Sequence, residues 1–254
     1  MNRRNFKRKL RLFFISLFVV ISFFSYLSGK FSKKNTHNNK TNTVFNSKKK
    51  IIKTNNKISK LDVDNLPVFN NKPYVVINDN NPDFENEKLE AKSFENYSNL
   101  DYLGRCGVAD AIIGKDIMPT SKRENISSVK PTGWKKIRYD DIDGKSLYNR
   151  CHLIGFQLAG ENANKKNLIT GTRYLNVKGM LAFENMVCDY VKETNHHVRY
   201  RVKPIFIKDE LVARGVQMEA LSIEDDAIKF NVYCFNSQPN VEINYKDGTA
   251  KRIK

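Results

Sequence analysis

Four polar side chains set at short intervals, His152, Asn167, Asn176 and Glu184, are the residues of this chain best suited to chemistry. His152 stands between an Asn-Arg-Cys triplet and a short apolar run in YNRCHLIG, a strand-like stretch. An imidazole titrates near 6.5, so it can take a proton from water around neutral pH. Asn176 and Glu184 are eight residues apart in a stretch where Met180, Phe183, Val187 and Tyr190 recur every three or four positions, one apolar helical face. At roughly 100° per residue the pair differs by about 80°, so both can face one cleft. A strand-borne base opposite a helix-borne amide and carboxylate suits metal-assisted phosphodiester hydrolysis. Asn is a weak ligand, which is enough for Mg²⁺ because that ion keeps most of its water. Taken singly, each residue has an ordinary reading: helical Asn and Glu mostly face solvent.

The elements that must position these groups lie in the C-terminal part of the chain. PYVVIN (73–78) reads as a strand and NDNNPDF as a turn. ENEKLEAKSFENYSNL is helix-like and acidic, and LGRCGVADAIIG is strand-like. The run to His152 breaks at Asp143-Gly144, which suggests a hairpin whose second arm carries the imidazole. NLITGTRYLNVKGMLAFENMVCDYVKE reads as becoming helical. HHVRYRVKPIFI, AIKFNVYCFN and VEINYKDGTAKRI supply strands, the last with another Asp-Gly turn. The expectation is an α+β domain on an antiparallel sheet.

Charge does not fall evenly over the 254 residues, whose formal net charge is +17. Residues 1–60 hold 16 of the 44 Lys and Arg and no acid, which leaves 28 basic against 27 acidic residues in 61–254. Basicity therefore belongs to the N-terminal arm and does not argue for nucleic-acid binding by the domain. MNRRNFKRKLR precedes 18 uncharged residues, Leu12–Gly29, nearly the length of a membrane span. Positive charge ahead of it predicts a cytoplasmic N-terminus and an exported remainder. An uncleaved anchor is the reading adopted, with a cleaved signal as the alternative. The organisation is thus a basic segment and anchor (1–29), a Lys/Asn-rich flexible linker (30–60) and a catalytic domain (61–254). Cys106, Cys151, Cys188 and Cys234 all fall in the exported part, where disulfides are permitted; sequence does not choose among the three pairings.

NRCHLIGFQLAG and NLITGTRYLNVKGMLAFEN resemble the core of the DNA/RNA non-specific endonucleases with the ββα-metal fold, and most of all the DNA-entry nuclease branch of Gram-positive bacteria. That core reads D-R-G-H, then an Asn, a second Asn nine residues on and a Glu eight beyond it, which Arg150, His152, Asn167, Asn176 and Glu184 match. The resemblance covers about residues 100–240. It implies that His152 deprotonates the attacking water, Asn176 ligates hydrated Mg²⁺ (Mn²⁺ as a substitute), and Glu184 orients the ion's water. It further implies that Asn167 steadies the site and Arg150 offers a charge to phosphate or a structural carboxylate. The products would carry 5′-phosphates. A second cation is expected among Lys130, Lys135, Lys136 and Arg138. Asn149 and Cys151 depart from the motif's Asp and Gly; a Cys at a positive-φ Gly position would strain the backbone. A Cys151–His152 nucleophilic dyad is rejected, because strand neighbours point to opposite faces.

Other candidates have plainer readings. Pro82, Asp83, Glu90 and Lys92 spell a PD…ExK pattern, but in a turn and a helix-like stretch. His196 and His197 precede a strand, and Trp134 can stack on a base or anchor the core. KPTGWKKIR is the best local basic patch for phosphate contact. The expectation is a membrane-tethered or secreted endonuclease acting on DNA, with RNA left open, and with residues 12–29 meeting the bacterial membrane. The alternative is an inactive module of the same fold that binds nucleic acid or a cell-surface polymer.

Overall fold

The computed structural model describes residues 58–84 and 87–253, so the expected membrane segment and the expected linker up to residue 57 lie outside the described residues. Six antiparallel strands form the main sheet: β1 (Tyr74–Val76), β2 (Phe94–Tyr97), β3 (Ala109–Ile113), β6 (Val198–Ile205), β7 (Gly215–Ser222) and β8 (Lys229–Phe235), in the order β1-β8-β7-β6-β3-β2. A separate ladder joins β4 (Tyr148–His152) to β5 (Leu168–Thr172), pairing His152 with Leu168. β9 (Val241–Ile243) and β10 (Ala250–Arg252) make the last hairpin around the expected Asp-Gly turn.

Between β4 and β5 runs one helical turn, α1 (Phe156–Ala159), which stops at Gly160 with φ 69°, the left-handed conformation that glycine adopts freely. β5 is followed by a π-helical segment, Leu175–Met180, continuing into α2 (Leu181–Thr194). Phe183, Val187, Cys188, Tyr190 and Val191 are the buried residues of α2, as its spacing predicted. The Phe183 ring stands 4.9 Å from both Phe230 of β8 and Tyr74 of β1, so the helix packs on the main sheet. Asn195, at φ 60°, ends α2 by donating its N–H to Val191 O.

Four expectations need correction. The helix-like stretch around residues 85–100 contains β2, an edge strand paired with β3 (Phe94 opposite Ile112). LITGT is strand β5, and helix begins only at Arg173. The Asp143-Gly144 turn is present and brings Arg138 opposite Ser146, but β4 pairs along its length with β5 and not with the arm before that turn. β7, absent from the sequence reading, lies between β6 and β8, with which it forms its ladders. All four cysteines are buried free thiols.

Candidate active site

The ladder and the helix bring the expected residues into one neighbourhood. His152 ends β4 and is 6% exposed. Its Nε2 lies 2.9 Å from the Asn162 carbonyl oxygen, which can only accept, so Nε2 carries the proton. Nδ1 is then the unprotonated nitrogen, facing an Arg123 guanidinium N–H at 3.3 Å. Burial and then the Arg123 charge outweigh the bonds to Asn162 and Glu161, holding the imidazole below its ordinary 6.5. It is a neutral base at neutral pH.

Asn167 is fully buried and works on the backbone just beyond His152. Its Oδ1 accepts from Ile154 N at 2.8 Å, and its Nδ2 donates to Ile154 O at 3.0 Å. Together with Leu153 N donating to Asn167 O, these bonds extend the ladder past its last regular pair. Asn167 therefore fixes the chain direction at the imidazole.

From the helical side, Asn176 sits in the π-helical segment, so the 100° spacing of a regular α-helix does not apply around it. Its Oδ1 accepts from the Cys151 thiol at 3.2 Å. Glu184, in the first turn of α2, lies against Gly155, where an added Cβ would come within 2.9 Å of its carboxyl carbon. A larger residue there would make the Glu184 carboxyl shift. Burial pushes the Glu184 carboxyl up to about 7, while Arg123 acts in the opposite direction. Hard oxygens at Asn176 and Glu184 fit a divalent cation that retains most of its water. Among the described residues no group of three or more His, Cys, Asp and Glu could cage a metal ion, so such an ion would have few protein ligands.

Cys151 occupies ordinary extended backbone, not the positive-φ region, so it brings no strain of the expected kind. Room for it comes from Gly171 across the ladder, where a Cβ would fall 2.6 Å from that of Cys151. Burial, with the nearby Glu184 charge, holds its thiol well above the ordinary range, and its side chain contacts Asn176 and Met180. A nucleophilic thiolate paired with His152 is absent. Asn149 keeps a buried Nδ2 without a hydrogen-bond partner.

Arg150 takes a different course from the one expected. It donates to Val129 O and to Ser127 O (2.8 Å), and stacks on Trp134 with its guanidinium carbon 4.2 Å from the ring centroid. Trp134 also packs on the cluster of Ile142, Leu147, Tyr148 and Val241, so its ring is an anchor. Of the cations near the imidazole, Arg123 is the one the structure supplies; sequence reading missed it because it lies in an exposed loop with no periodic signal. Asn162 and Gly155 were missed because each lies in an irregular connection with no periodic signal.

The plainer readings fit the remaining candidates. Glu90 pairs with Lys88 on the surface, and Asp83 N donates to Glu219, so the PD…ExK residues form no centre. His197 pairs with Glu224 at 2.7 Å, and His196 lies 3.4 Å from Asp225.

The sequence model of the DNA/RNA non-specific endonuclease family matches residues 85–223. Among solved structures, NucA from Streptococcus agalactiae with magnesium bound is 26% identical, with a TM-score of 0.65, over 73% of this chain and 89% of that one. The same protein without metal gives 25% and 0.64 over the same shares. Sda1 nuclease with bound zinc is 29% identical, with a TM-score of 0.54, over 63% of this chain and 82% of that one.

Proposed function

The chain belongs to the DNA/RNA non-specific endonuclease family, and from that premise we propose that it is a metal-dependent endonuclease cutting DNA, and RNA where offered, without strong sequence preference. The observation that carries this is the His152 imidazole, held neutral with Nδ1 unprotonated and facing Arg123, a cation that also acts on Glu184. His152 Nδ1 takes the proton of the attacking water. Arg123 binds a non-bridging phosphate oxygen and neutralises charge as phosphorus becomes crowded. Asn176 Oδ1 and Glu184 would hold hydrated Mg²⁺, with Mn²⁺ as a substitute; such an ion would supply positive charge to the phosphate and the leaving group. NucA's magnesium and Sda1's zinc support a divalent ion. Asn167 holds the backbone beyond His152, and Arg150 holds the 127–129 backbone near the Arg123 loop.

Phosphate-dominated contacts explain the lack of sequence preference. We place the domain outside the cytoplasm, tethered through residues 12–29 or released if that leader is cleaved, because a basic cluster precedes the apolar run. Residues 61–254, incubated with supercoiled plasmid, should nick and degrade it with Mg²⁺, and not with EDTA or as the His152→Ala variant. Full activity of His152→Ala would overturn the assignment of the base. A folded domain that shifts DNA in a gel without cutting it would favour the binding module.

A further inference from the structure

The loop carrying Arg123 is exposed from Ser121 to Asn125 and has no regular secondary structure. Side-chain entropy opposes holding a long exposed guanidinium in one place, yet here it lies 3.3 Å from His152 Nδ1. Something must hold the backbone beneath it. On the C-terminal side Arg150 takes Ser127 O and Val129 O. Immediately beside Arg123, Glu124 N donates to Asn162 Oδ1 at 2.9 Å.

Asn162 is well placed to bear that load. It lies in the short connection between Gly160, which ends α1, and Asn164, whose side chain accepts from Lys166 N. Asn167 then locks the end of this connection to Ile154. The same Asn162 residue accepts from His152 Nε2 with its backbone oxygen, also at 2.9 Å. One residue thus grips the base with its main chain and the cation's loop with its side chain.

We infer that Asn162 is a positioning residue that sets the register between His152 and Arg123, through its backbone carbonyl and its side-chain amide oxygen respectively. The inference rests on the proposed roles of those two residues. Substitution at 162 leaves the carbonyl in place, so the two functions separate: Asn162→Ala frees the Arg123 loop while the imidazole keeps its tautomer. Asn162→Asp retains an acceptor for Glu124 N–H.

The test is plasmid and short-duplex cleavage at saturating Mg²⁺ by the wild type, Asn162→Ala, Asn162→Asp, Arg123→Ala and the double variant Asn162→Ala/Arg123→Ala, each checked for an unchanged melting temperature. Arg123→Ala should lower kcat/KM about 30- to 100-fold and Asn162→Ala about 10-fold or more. Asn162→Asp should recover to within about threefold of wild type. The double variant should be no slower than Arg123→Ala, because the tether has then nothing to position. If Arg123→Ala is slow while Asn162→Ala stays within twofold of wild type, or if the two losses multiply, the positioning role is overturned. If Arg123→Ala itself keeps full activity, the assigned role of Arg123 falls instead. Should Asn162→Ala melt early, the Asn162→Asp recovery and Glu124→Pro, which deletes the donated N–H, decide between the outcomes: Glu124→Pro should match Asn162→Ala, and wild-type activity from it would overturn the tether.

Discussion

Two regions of this molecule bury charge, and they treat it in opposite ways. On the main sheet, Arg199 of β6 is nearly enclosed and is answered on every side. Glu87 lies 2.7 Å from its Nε, Asp110 meets NH1, and Phe84 lies under the guanidinium at 4.8 Å. Arg201, two residues on, shares Glu87 and adds Glu219 at 2.9 Å. At the His152 centre the matching is left incomplete. Glu184 is pushed toward neutrality by burial, and the cation set against it is Arg123, on an exposed loop. A completed network holds a fold together, whereas an incomplete one keeps capacity for a proton, a cation or a phosphate.

Crossed substitutions give the largest contrast. Arg199→Ala should remove about 3–5 kcal/mol of stability by leaving Glu87 and Asp110 with a lost partner, with little change in turnover by the folded fraction. His152→Ala should do the reverse, slowing cleavage by roughly a thousandfold with about 1 kcal/mol or less of stability lost. Denaturant melts and initial rates on the same preparations would read both, and equal effects on stability would break the contrast.

Glu184→Gln sharpens it further. The carboxyl titrates at about 7 in the folded protein, against roughly 4.3 in an unfolded chain. Between these values the folded state binds more protons, so metal-free stability is fullest below the lower value and declines as pH rises through the upper one. In EDTA, Glu184→Gln should therefore melt higher than wild type at pH 8, by on the order of 2 kcal/mol, and the gain should shrink steadily and vanish below about pH 4. Cleavage should fall about a hundredfold. A flat stability difference across that range would show that the carboxyl is not desolvated.

A smaller effect concerns the ladder. Gly171→Ala should destabilise by about 1–3 kcal/mol through overlap with Cys151, and adding Cys151→Gly should restore most of it. Lack of rescue in thermal melts would place the strain elsewhere. The smallest effect is in pH dependence. Because burial and Arg123 hold His152 below 6.5, its neutral form persists on the acid side of that value. The acid limb of kcat/KM should lie below 6.5 and move upward, by less than about one unit, in Arg123→Ala. A limb that stays put would remove Arg123 from the surroundings of the imidazole.

How much of this was legible in the sequence differs residue by residue. The apolar spacing of Met180, Phe183, Val187 and Tyr190 stated the buried face of α2, because helical periodicity is written in local order. His152, Asn167, Asn176 and Glu184 stood out as candidates by type and interval, since base, amide and carboxylate chemistry belongs to the side chain itself. The family came from the resemblance those segments carry, and the match over residues 85–223 bears it out. The edge strand β2 was not legible: its acidic residues suit a helix locally, and the β3 ladder that overrides them comes from residues further along the chain. β5 and β7 were lost for the same reason, being defined by partners outside any local window.

Only the tertiary structure decided which nitrogen of His152 carries the proton, because that depends on a carbonyl ten residues away in a connection held by its own caps. It alone placed Arg123 beside His152, and directed Arg150 to the 127–129 backbone. It also showed how Cys151 fits where the motif has glycine, since the space belongs to Gly171 on another strand. Chemical capacity is carried by residue type and order along the chain. Protonation state, pairing and available space are set by whatever folding brings alongside.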